Sequence, residues 1–564
     1  MSASKQWILR GEPFHANENG SNGGFPAILR HLIEQRGLPA GEALEDFLRP
    51  QLRNLRDPFE IGEMANAVER IFAAVDAGEK VLLYGDYDVD GVSSVAVMRR
   101  ALLAYGLKAR HFIPRRSSEG YGLSKAALER CMAEGDKPDL LIAVDCGTVS
   151  VDEIADLRAE GIDVIVVDHH EPGPRGRPDV VALVNPKFGG GPTYLCAAGV
   201  CFKLAHAMMK TRRMADFDLK PLLELVTLAT IADIVPMVEE NRLMVRHGLK
   251  LLPQTLNPGL QSLQKAAGIN GRATSMDVGF RIGPRLNAAG RMDVPEDALG
   301  ILLTDCRRRA DEFAERLETY NRRRQTHENQ IRTEALAMLE DRDPNEPVIV
   351  LGSRAWHPGV VGIVASRLMR QFHKPTFVIA IDEEGLGKGS GRSIEGVSLV
   401  EAIHACRPLL VAGGGHDMAA GISIREEEMD AFREAFGRHV LECTDEDSRR
   451  PRLYVDAEIP LDLLSLEFLK DYELMQPFGN GNPQPVFMAK EVHLTGAPIR
   501  MKNHHLRLTF RQGLHEQDAV FFGGGERDLP DPPWDVAFTI DRNHFRGRTT
   551  LQMIVQDIRR SEVS

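Results

Sequence analysis

The feature that most constrains the fold is an alternation of short apolar runs with helical stretches between residues 81 and 168. Runs rich in β-branched residues that alternate with helices indicate parallel βαβ units, whose strands are buried on both faces. The predicted strands are VLLYG (81–85), RHFIP (110–114), DLLIAVD (139–145) and DVIVVD (163–168), and the predicted helices are Val92–Ala104, Ser124–Ala133 and Val151–Glu160. We therefore expect an α/β domain with a doubly wound parallel sheet.

Beyond this domain the pattern predicts three further regions. Residues 305–341 are polar, lack Pro and Gly, and carry apolar residues every three or four positions, which indicates one connecting helix of about 50 Å. A second α/β domain follows, and after it short alternating strands separated by Gly, Asp and Asn predict a small β-barrel. The expected divisions are an N-terminal segment (1–60), the first α/β domain (61–250), a helical connector (251–345), the second α/β domain (346–445) and the barrel (450–560).

Composition excludes several classes of protein. Of the 564 residues, 43% are apolar and 27% are charged, as in globular chains, and no apolar run approaches the ~18 residues of a membrane span. The seven cysteines are scattered without a CxxC pair, which argues against a disulfide framework or a structural zinc site and predicts a protein of the reducing cytoplasm. The net charge of −12 does not exclude nucleic acid, because residues 91–118 and 499–512 are basic stretches without an acid.

Three aspartates follow the first predicted strand, in the sequence GDYDVDG (85–91). A single Asp at this place is more often a helix N-cap or part of a solvated loop. Asp86, Asp88 and Asp90 lie within five residues, however, and their mutual repulsion requires a cation to offset it. Carboxylate oxygens of this kind suit Mg²⁺ or Mn²⁺.

Two other predicted strands also end in acidic residues. One ends at Asp145, and another ends at Asp168, which His169 and His170 follow directly. The carboxyl edge of an open parallel sheet is where such folds place their sites. A further acid, Asp233, lies in an apolar helical stretch, where an internal cap is an equally good interpretation. Carboxylates with imidazoles and no cysteine favour a two-metal site that activates water and hydrolyses a phosphoester or phosphoanhydride.

At this point the motifs resemble those of the DHH phosphoesterase superfamily. The triplet Asp168-His169-His170 resembles its signature, and GDYDVDG, AVDCGT (143–148) and TIADIVPM (230–237) are similar to its other core motifs. The second α/β region resembles the associated DHHA1 domain through WHPGVVGIVASRL (356–368), SGRS (390–393) and GGGHDMAAG (413–421). GPRLNAAGRM (283–292) and an OB-fold-like barrel narrow the resemblance to the bacterial exonucleases of this superfamily that act on single strands.

The resemblance implies roles for the acidic and imidazole side chains. Asp88 and Asp90 would be ligands of different metal ions, and Asp145 would bridge both. His169 and Asp233 would complete the shell of the ion held by Asp90. Asp168 would orient a neighbouring imidazole, and His170 would contact the scissile phosphate. Many members have a histidine where this chain has Tyr84, and Asp86 is the residue that partly fills the place.

The resemblance also implies substrate contacts. Arg285 and Arg291, interpreted as loop residues, would bind phosphates by forked donation, although a lone arginine is more often a solvated charge. His416, in a glycine-rich turn, would face phosphates across the cleft. A pocket for the 5′-terminal phosphate would be formed by Arg116 (with Arg115 beside it as the alternative), Ser390 and Arg392. In the barrel, single-strand contacts are expected from Arg507 and Phe510, although such phenylalanines are more often core residues.

The two-metal pattern predicts hydrolysis at phosphorus with two divalent ions, Mn²⁺ or Mg²⁺. The resemblance further implies a single-strand-specific 5′→3′ DNA exonuclease of repair and recombination that releases 5′-mononucleotides. Single-stranded DNA is the expected substrate, a single-strand-binding protein and a helicase are the expected partners, and the chain is expected to be a monomer. Two alternatives stay open. One is an enzyme for small nucleotides or short oligonucleotides, which would not need the barrel. The other is a replication scaffold without catalysis, which would not need the intact ligand positions.

Overall fold

The computed structural model describes residues 5–11, 26–38, 42–116, 118–292, 294–502, 504–545 and 547–561. These residues form two compact units. The larger unit comprises Leu52–Arg449 and Gly479–Gly481, and the smaller comprises the described residues of Met1–Gln51, Arg450–Phe478 and Asn482–Ser564. Within the described residues, no helix has the length and hydropathy required to cross a bilayer.

The chain starts with three elements of the smaller unit: β1 (Gln6–Leu9), α1 (Ala27–Glu34) and α2 (Glu42–Leu48). The larger unit then opens with a βαβ succession. Its elements are α3 (Met64–Ala77), β2 (Val81–Gly85), α4 (Val89–Ala104), β3 (Arg110–Phe112), α5 (Lys125–Ala133), β4 (Leu140–Val144), α6 (Val151–Ala159), β5 (Asp163–Val167) and β6 (Ala182–Val184).

These five strands form one parallel sheet in the order β3-β2-β4-β5-β6. Successive side chains of a strand point to opposite faces. Leu83 and Ile142 accordingly enter a large core with α3 and α4, whereas Leu82 and Leu141 enter a separate core with α5 and α6. Both faces are covered, so the predicted doubly wound sheet is confirmed.

A helical region follows the sheet. Its elements are α7 (Pro186–Gly189), α8 (Ala197–Thr211), α9 (Leu222–Ala232), α10 (Glu239–Leu251), α11 (Pro258–Ala266), α12 (Ser275–Asp277), a π-helical turn (Val278–Ile282), α13 (Gly283–Arg291), α14 (Pro295–Leu303) and α15 (Arg307–Glu340). The 34 residues of α15 span about 51 Å, which confirms the predicted connecting helix. The GPRLNAAGR segment was expected to be a loop, and that prediction is wrong, because Gly283 and Pro284 begin α13 with proline at a position where helices tolerate it.

The second α/β region of the larger unit contains β7 (Ile349–Ser353), α16 (Val361–Phe372), β8 (Thr376–Ile381), β9 (Leu386–Arg392), α17 (Leu399–Ala405), β10 (Ala412–His416), β11 (Ala419–Arg425) and α18 (Met429–Cys443). Its sheet has the order β10-β11-β9-β8-β7, and only the β7–β8 pair is parallel. The glycine-rich GGGH segment, expected to be a turn, is the edge strand β10, and Asp417 and Met418 alone form the turn to β11.

The smaller unit continues with β12 (Arg452–Val455), β13 (Ala457–Glu458), α19 (Leu466–Tyr472), β14 (Phe487–Leu494), β15 (Ile499–Met501), β16 (His505–Gln512), β17 (His515–Phe521), β18 (Trp534–Phe545) and β19 (Arg548–Arg560). Seven of these strands form one sheet in the order β13-β14-β18-β19-β17-β16-β15, and an additional β14–β16 pairing closes it into the predicted barrel. β1 pairs with β12, and Leu29 and Leu32 of α1 belong to the barrel core. The described residues of 1–51 are therefore part of this unit, whereas residues 52–60 of the expected N-terminal segment belong to the larger unit.

Candidate metal centre and basic pocket

Asp88 lies at the point where β2 turns into α4. Its Oδ1 accepts hydrogen bonds from the backbone N–H groups of Asp90 (2.8 Å) and Gly91 (3.0 Å), so Asp88 is the N-cap of α4. A Cβ at position 91 would lie 2.4 Å from the Asp86 carbonyl oxygen, which is why this turn requires glycine. The cap uses one carboxylate oxygen, and the other remains for a second partner. A capping role and a metal-binding role are therefore compatible.

Asp90 is buried in the first turn of α4. Its two oxygens accept from the N–H groups of Ala197 (2.7 Å) and Ala198 (2.8 Å), which open α8. A helix N-terminus carries unpaired N–H groups and a partial positive charge, and it therefore holds a carboxylate in place. α8 thus fixes the orientation of Asp90.

The imidazole of His169 lies at the middle of three acids that come from different elements. Its Nε2 is 3.4 Å from Asp145 Oδ1, 3.7 Å from Asp90 Oδ2 and 3.7 Å from Asp233 Oδ2. Asp145 follows β4 with a positive φ of 60°, a strained backbone for a residue with a side chain, and Asp233 follows the last residue of α9. Such strain is found at functional sites, where the surrounding structure maintains it.

Asp168 holds the second histidine. Its Oδ1 accepts from His170 Nδ1 at 2.7 Å, and its Oδ2 accepts from the Thr148 N–H at 3.1 Å. Burial alone would lower the pKa of His170, but the hydrogen bond and charge of Asp168 outweigh it and raise that pKa to about 9. Burial and the neighbouring His170 lower the pKa of His169 to about 4. One imidazole is thus charged at neutral pH, and the other is neutral, the form that binds a metal.

The carboxyl groups repel one another strongly. Burial, followed by the charge of Asp88, raises the pKa of Asp90 to about 7, and burial with Asp90 and Asp88 raises that of Asp233 to about 8. Burial and neighbouring acids also raise the pKa values of Asp86 and Asp145 well above the usual range. A positive ion between these groups would remove the repulsion.

The donor atoms fit divalent cations with a preference for oxygen. Two sets of side chains, Asp86–Asp88–Asp145 and Asp90–His169–Asp233, each bring their ligand atoms within 4.8 Å of one another, and Asp145 also groups with His169 and His170. Several carboxylates with one or two imidazoles suit Mn²⁺ or Mg²⁺. We call Asp86, Asp88, Asp90, Asp145, His169 and Asp233 the acid cluster.

Asp86 and Tyr84 differ in what they offer to an ion. The Tyr84 hydroxyl is buried and donates to the Gly122 carbonyl at 2.9 Å, so it is committed elsewhere. Asp86 is also buried, and among the described residues its Oδ1 has no hydrogen-bond partner. A buried carboxylate oxygen without a partner is costly, and an ion would satisfy it.

A second site in the larger unit carries the opposite charge. A cavity of about 490 Å³ is lined by cationic and polar side chains and by glycines of β9 and β11. We call its polar residues the basic pocket; they are Arg116, Arg291, His357, Lys388, Ser390 and Arg392. Burial, followed by the charges of Arg116, Arg324 and Arg392, lowers the pKa of Arg291 to about 10.

Two of these arginines have fixed partners. Arg291 donates to the Gly359 carbonyl at 2.7 Å, and Arg392 donates to Ser390 Oγ at 3.1 Å and to the Gly391 carbonyl at 2.7 Å. Carbonyl partners orient a guanidinium without neutralising it. The cavity therefore keeps its positive charge, and an anion with several oxygens matches it. Arg116 lines this cavity, whereas Arg115 is not among its lining residues.

Two predicted substrate residues of the larger unit, Arg285 and His416, lie outside the basic pocket. Arg285 is six residues before Arg291 and hence on another face of α13, where it donates to Glu318 (2.8 Å) and to backbone carbonyls. Arg285 is thus held against Glu318 with little exposure, and it is not among the residues that line the basic pocket. His416 is exposed at the end of edge strand β10, opposite Ala419, and does not line the basic pocket.

Phe510 was expected to contact single-stranded DNA, and the structure contradicts this. Alternate residues of β16 point inwards, so Phe510 is fully buried and packs edge-to-face on Trp534, with 6.3 Å between the ring centroids. Arg507 points outwards on the same strand and pairs with Asp518 at 3.1 Å. Among the described residues of this unit, Phe522 offers an exposed aromatic ring, which packs edge-to-face on His505 and is 59% exposed.

Sequence reasoning missed three residues. Tyr121 Oη lies 3.0 Å from His170 Nε2 and 3.1 Å from the Asp145 carbonyl, so it contacts the charged imidazole directly. His357 and Lys388 line the basic pocket. His357 stands in the WHPG motif and was a recognisable signal, whereas Tyr121 and Lys388 belong to short segments without a chemical pattern of their own.

Comparison with known proteins agrees with this geometry. The DHH family N-terminal domain matches residues 80–230, the DHHA1 domain matches residues 345–441, and the RecJ OB domain matches residues 455–557. The chain is similar to the single-stranded-DNA-specific exonuclease RecJ of Bacillus subtilis, with 35% identity over 95% of this chain and 68% of that protein. It is 33% identical to the RecJ of Haemophilus influenzae, over 94% of this chain and 99% of that protein.

Comparison with solved structures also shows similarity to RecJ exonucleases. The crystal structure of RecJ with Mn²⁺ from Thermus thermophilus has a TM-score of 0.81 and 30% identity, and covers 95% of this chain and 76% of that one. The complex of the same protein with Mg²⁺ has a TM-score of 0.74 and 29% identity, and covers 95% of this chain and 75% of that one.

Proposed function

The chain belongs to the RecJ family of single-stranded-DNA-specific exonucleases, and on this premise we propose that it removes nucleotides from the 5′ end of a DNA strand. It is a metal-dependent nuclease, its substrate is single-stranded DNA, and its cofactor is Mn²⁺ or Mg²⁺. In this proposal the acid cluster hydrolyses the phosphodiester, and the basic pocket stops the strand at its terminal phosphate. The observation that carries the proposal is the presence, in one unit, of a carboxylate site beside a cationic cavity.

The acid cluster would hold two divalent ions. Asp88 and Asp90 would serve different ions, with Asp145 shared between them and with His169 and Asp233 on the ion of Asp90. The two separate sets of close ligand atoms support this assignment. Bound ions of this kind supply an activated water and neutralise charge on the phosphate.

His170 would contact the reacting phosphate. Its imidazole is positively charged at neutral pH, and Asp168 fixes the orientation of the ring through Nδ1. The other ring nitrogen, Nε2, lies 3.0 Å from Tyr121 Oη, and its proton would be donated to a phosphate oxygen when substrate replaces that contact. Tyr121 Oη lies within 3.2 Å of both ring nitrogens and therefore also restrains the ring. Asp168 acts through His170 and is a positioning residue in this scheme.

The basic pocket explains direction and repeated cleavage. Arg392 and Ser390, with Arg116 and Arg291, would bind the terminal 5′ phosphate. Cleavage of the bond between phosphorus and the 3′ oxygen of the first nucleotide releases a 5′-mononucleotide and leaves a new 5′ phosphate on the strand. The product strand therefore carries the group that the basic pocket is suited to bind.

The barrel would bind the strand farther from its end. Arg507 and Phe522 offer a cation and an exposed ring on its surface, which is the combination that OB-folds use for single strands. A deletion that tests this should remove residues 1–51 together with those from 450 onward, because β1 pairs with β12 and α1 packs into the barrel core. Affinity for a long strand should fall more than the rate of cleavage once the strand is bound.

The biological setting follows from the substrate. The substrate of such an enzyme, a single strand with a free end, must be produced by an activity that unwinds duplex DNA. A single-strand-binding protein shares this substrate. We therefore propose a helicase and a single-strand-binding protein as partners in DNA repair and recombination. A monomer would suffice for the reaction, because this one chain supplies the residues of both sites. The seven cysteines are free, which supports work in the cytoplasm.

A degradation assay tests the proposed function. A long single strand, the matching duplex and a dinucleotide should be incubated with Mn²⁺ or with EDTA. We expect digestion of the long strand only, and only with the ion. Equal digestion of the dinucleotide would favour an enzyme of small substrates, and no digestion of any substrate would favour a scaffold.

A further inference from the structure

Tyr87 stands between Asp86 and Asp88, in the middle of the segment that supplies three members of the acid cluster. Its ring is half-buried, and the Arg116 guanidinium carbon lies 5.4 Å from the ring centroid. A guanidinium at this distance over an aromatic face is attracted by the ring. Tyr87 therefore joins the acid cluster to an arginine of the basic pocket.

Tyr87 also contacts the helix that carries the second arginine. A Cβ built on Gly290 would lie 2.7 Å from the Tyr87 carbonyl oxygen and 3.3 Å from its Cβ and Cδ2 atoms, so α13 approaches Tyr87 as closely as only glycine permits. Arg291 is the next residue of α13 and donates to the Gly359 carbonyl. The same tyrosine thus packs against the positions of both arginines.

Arg116 needs such support more than the other arginines of the pocket. It is exposed and lies in a turn beyond β3, whereas Arg291 and Arg392 donate to backbone carbonyls. Fixing a long arginine side chain costs conformational entropy on binding, and a ring that holds the guanidinium in advance reduces that cost. The ring of Tyr87 is placed to do this.

We propose that Tyr87 is a positioning residue that fixes Arg116 in the basic pocket and thereby sets the spacing between the reacting phosphate and the terminal 5′ phosphate. This inference rests on the proposed function of the pocket. Because the GDYDVDG segment supplies both the acid-cluster carboxylates and this ring, the two phosphates are held relative to each other by a single turn of the chain.

The test compares 5′-phosphorylated with 5′-hydroxyl single strands in the full-length enzyme with Mn²⁺. Tyr87→Leu should raise KM for the phosphorylated strand and reduce its advantage over the hydroxyl strand by roughly three- to tenfold, as expected for a lost cation–π contact. A less firmly held end should also yield some dinucleotide product. Tyr87→Phe retains the ring and should restore the wild-type preference and product length.

Two further variants separate positioning from general damage. Tyr105→Leu removes a ring that packs on Phe72 outside both sites, and it should lower the melting temperature but leave the preference for the 5′ phosphate unchanged. In an Arg116→Ala background, Tyr87→Leu should have little additional effect on that preference, because both substitutions remove the same interaction.

The outcomes are distinguishable. If the wild-type enzyme shows no preference for a 5′ phosphate, the proposed function of the basic pocket fails. If the wild type shows the preference and Tyr87→Leu keeps it in full, with mononucleotides as the sole product, the role of Tyr87 is refuted. Should Tyr87→Leu not fold, Tyr87→Met carries the same prediction with a side chain of more similar length. Additive effects of the Tyr87 and Arg116 substitutions would also contradict the inference.

Discussion

The acid cluster and the basic pocket lie in the same unit and carry charges of opposite sign. In each site the surroundings disfavour the ionised form of the side chains. The pKa of Asp90 is raised to about 7, and that of Arg291 is lowered to about 10, in both cases first by burial and then by neighbours of like charge. The backbone groups that hold the charged side chains differ between the two sites. Asp88 and Asp90 accept from N–H groups at the starts of α4 and α8, whereas Arg291 and Arg392 donate to carbonyl oxygens.

This difference shows what each site is built to bind. Backbone N–H groups orient the carboxylates but leave their charge, and the site then needs a cation. Backbone carbonyls orient the guanidinium groups in the same way, and that site needs an anion. A DNA strand with its metal ions satisfies both sites at once. Repulsion within each site is thus a source of affinity for the ligand of opposite charge.

The largest expected effect is on the acid cluster. Asp88→Asn with Asp90→Asn should reduce hydrolysis by roughly a thousandfold or more, as when other groups that act as one unit are removed. Asparagine can still accept the N–H groups that Asp88 caps, so helix α4 should be retained, whereas alanine would lose the cap at a cost of about 1 kcal/mol.

The same variant offers a measurement that does not depend on activity. Without metal its melting temperature should stay close to that of the wild type, because the relief of repulsion among the carboxylates offsets the one N–H group of α8 that the amide introduced at position 90 no longer accepts. Asp152→Asn, on the exposed surface of α6 and paired with Arg175, is the matched control and should retain activity. Substantial digestion by the double variant with Mn²⁺ would show that the acid cluster is not the hydrolytic centre.

The second largest expected effect is the pH dependence of stability and of metal affinity. The folded pKa values of Asp90 and Asp233, about 7 and 8, are raised from an ordinary value of 3.8. Groups with a raised pKa stabilise the fold at low pH and lose this contribution as the pH rises through those values. In EDTA, the melting temperature should therefore fall as the pH rises from about 5 to about 8, and it should level off above that range. Calorimetric Mn²⁺ affinity should rise more than roughly tenfold from pH 6 to 8, because the ion displaces protons.

A pH-independent Mn²⁺ affinity would contradict the raised pKa values. Asp90→Asn with Asp233→Asn removes the two titrating groups, and in EDTA it should flatten the dependence of the melting temperature on pH. If the slope persists in this variant, other residues are its source, and the electrostatic contrast between the two sites loses its main support.

The two sites also differ in how far the sequence predicted them. Asp86, Asp88, Asp145 and Asp168 each follow a strand of a parallel sheet, and such strands end at one edge, so their neighbourhood could be inferred from periodicity. The fold of the sheet, the helix α15 and the barrel was predicted for the same reason, because each has a regular apolar pattern.

The basic pocket could not be inferred in this way. Its residues come from segments near positions 116, 291, 357 and 390, and only tertiary packing brings these segments together. Arg285 and Arg291 could not be distinguished when both were predicted to lie in a loop. In the structure they lie on different faces of helix α13. Phe510 was expected to contact single-stranded DNA, and the alternation of β16 buries it instead.

The third effect concerns the basic pocket. Arg392→Ala should reduce the advantage of a 5′-phosphorylated strand over a 5′-hydroxyl strand by roughly tenfold, the scale of one lost hydrogen bond to a charged group. Calorimetric Mn²⁺ affinity should be unchanged, because Arg392 is not part of the acid cluster. Equal losses on both strands would indicate that Arg392 supports the fold or general DNA binding.

The smallest effect is expected at Arg285. Its guanidinium pairs with Glu318 on α15, so Arg285→Ala should alter the preference for a 5′ phosphate by less than about twofold, while the melting temperature falls slightly. Arg291→Ala is the matched comparison on the same helix and should reduce that preference as Arg392→Ala does. A large loss of preference at Arg285 would mean that the basic pocket extends beyond its lining residues.

The central claim is that the acid cluster cuts at the end that the basic pocket holds. The most direct measurement follows one long single strand, labelled at either the 5′ or the 3′ end, with Mn²⁺ present. We predict that the 5′ label appears at once as a mononucleotide, while the 3′-labelled strand shortens gradually, and that EDTA stops both. Early release of the 3′ label, or digestion that continues in EDTA, would contradict the account.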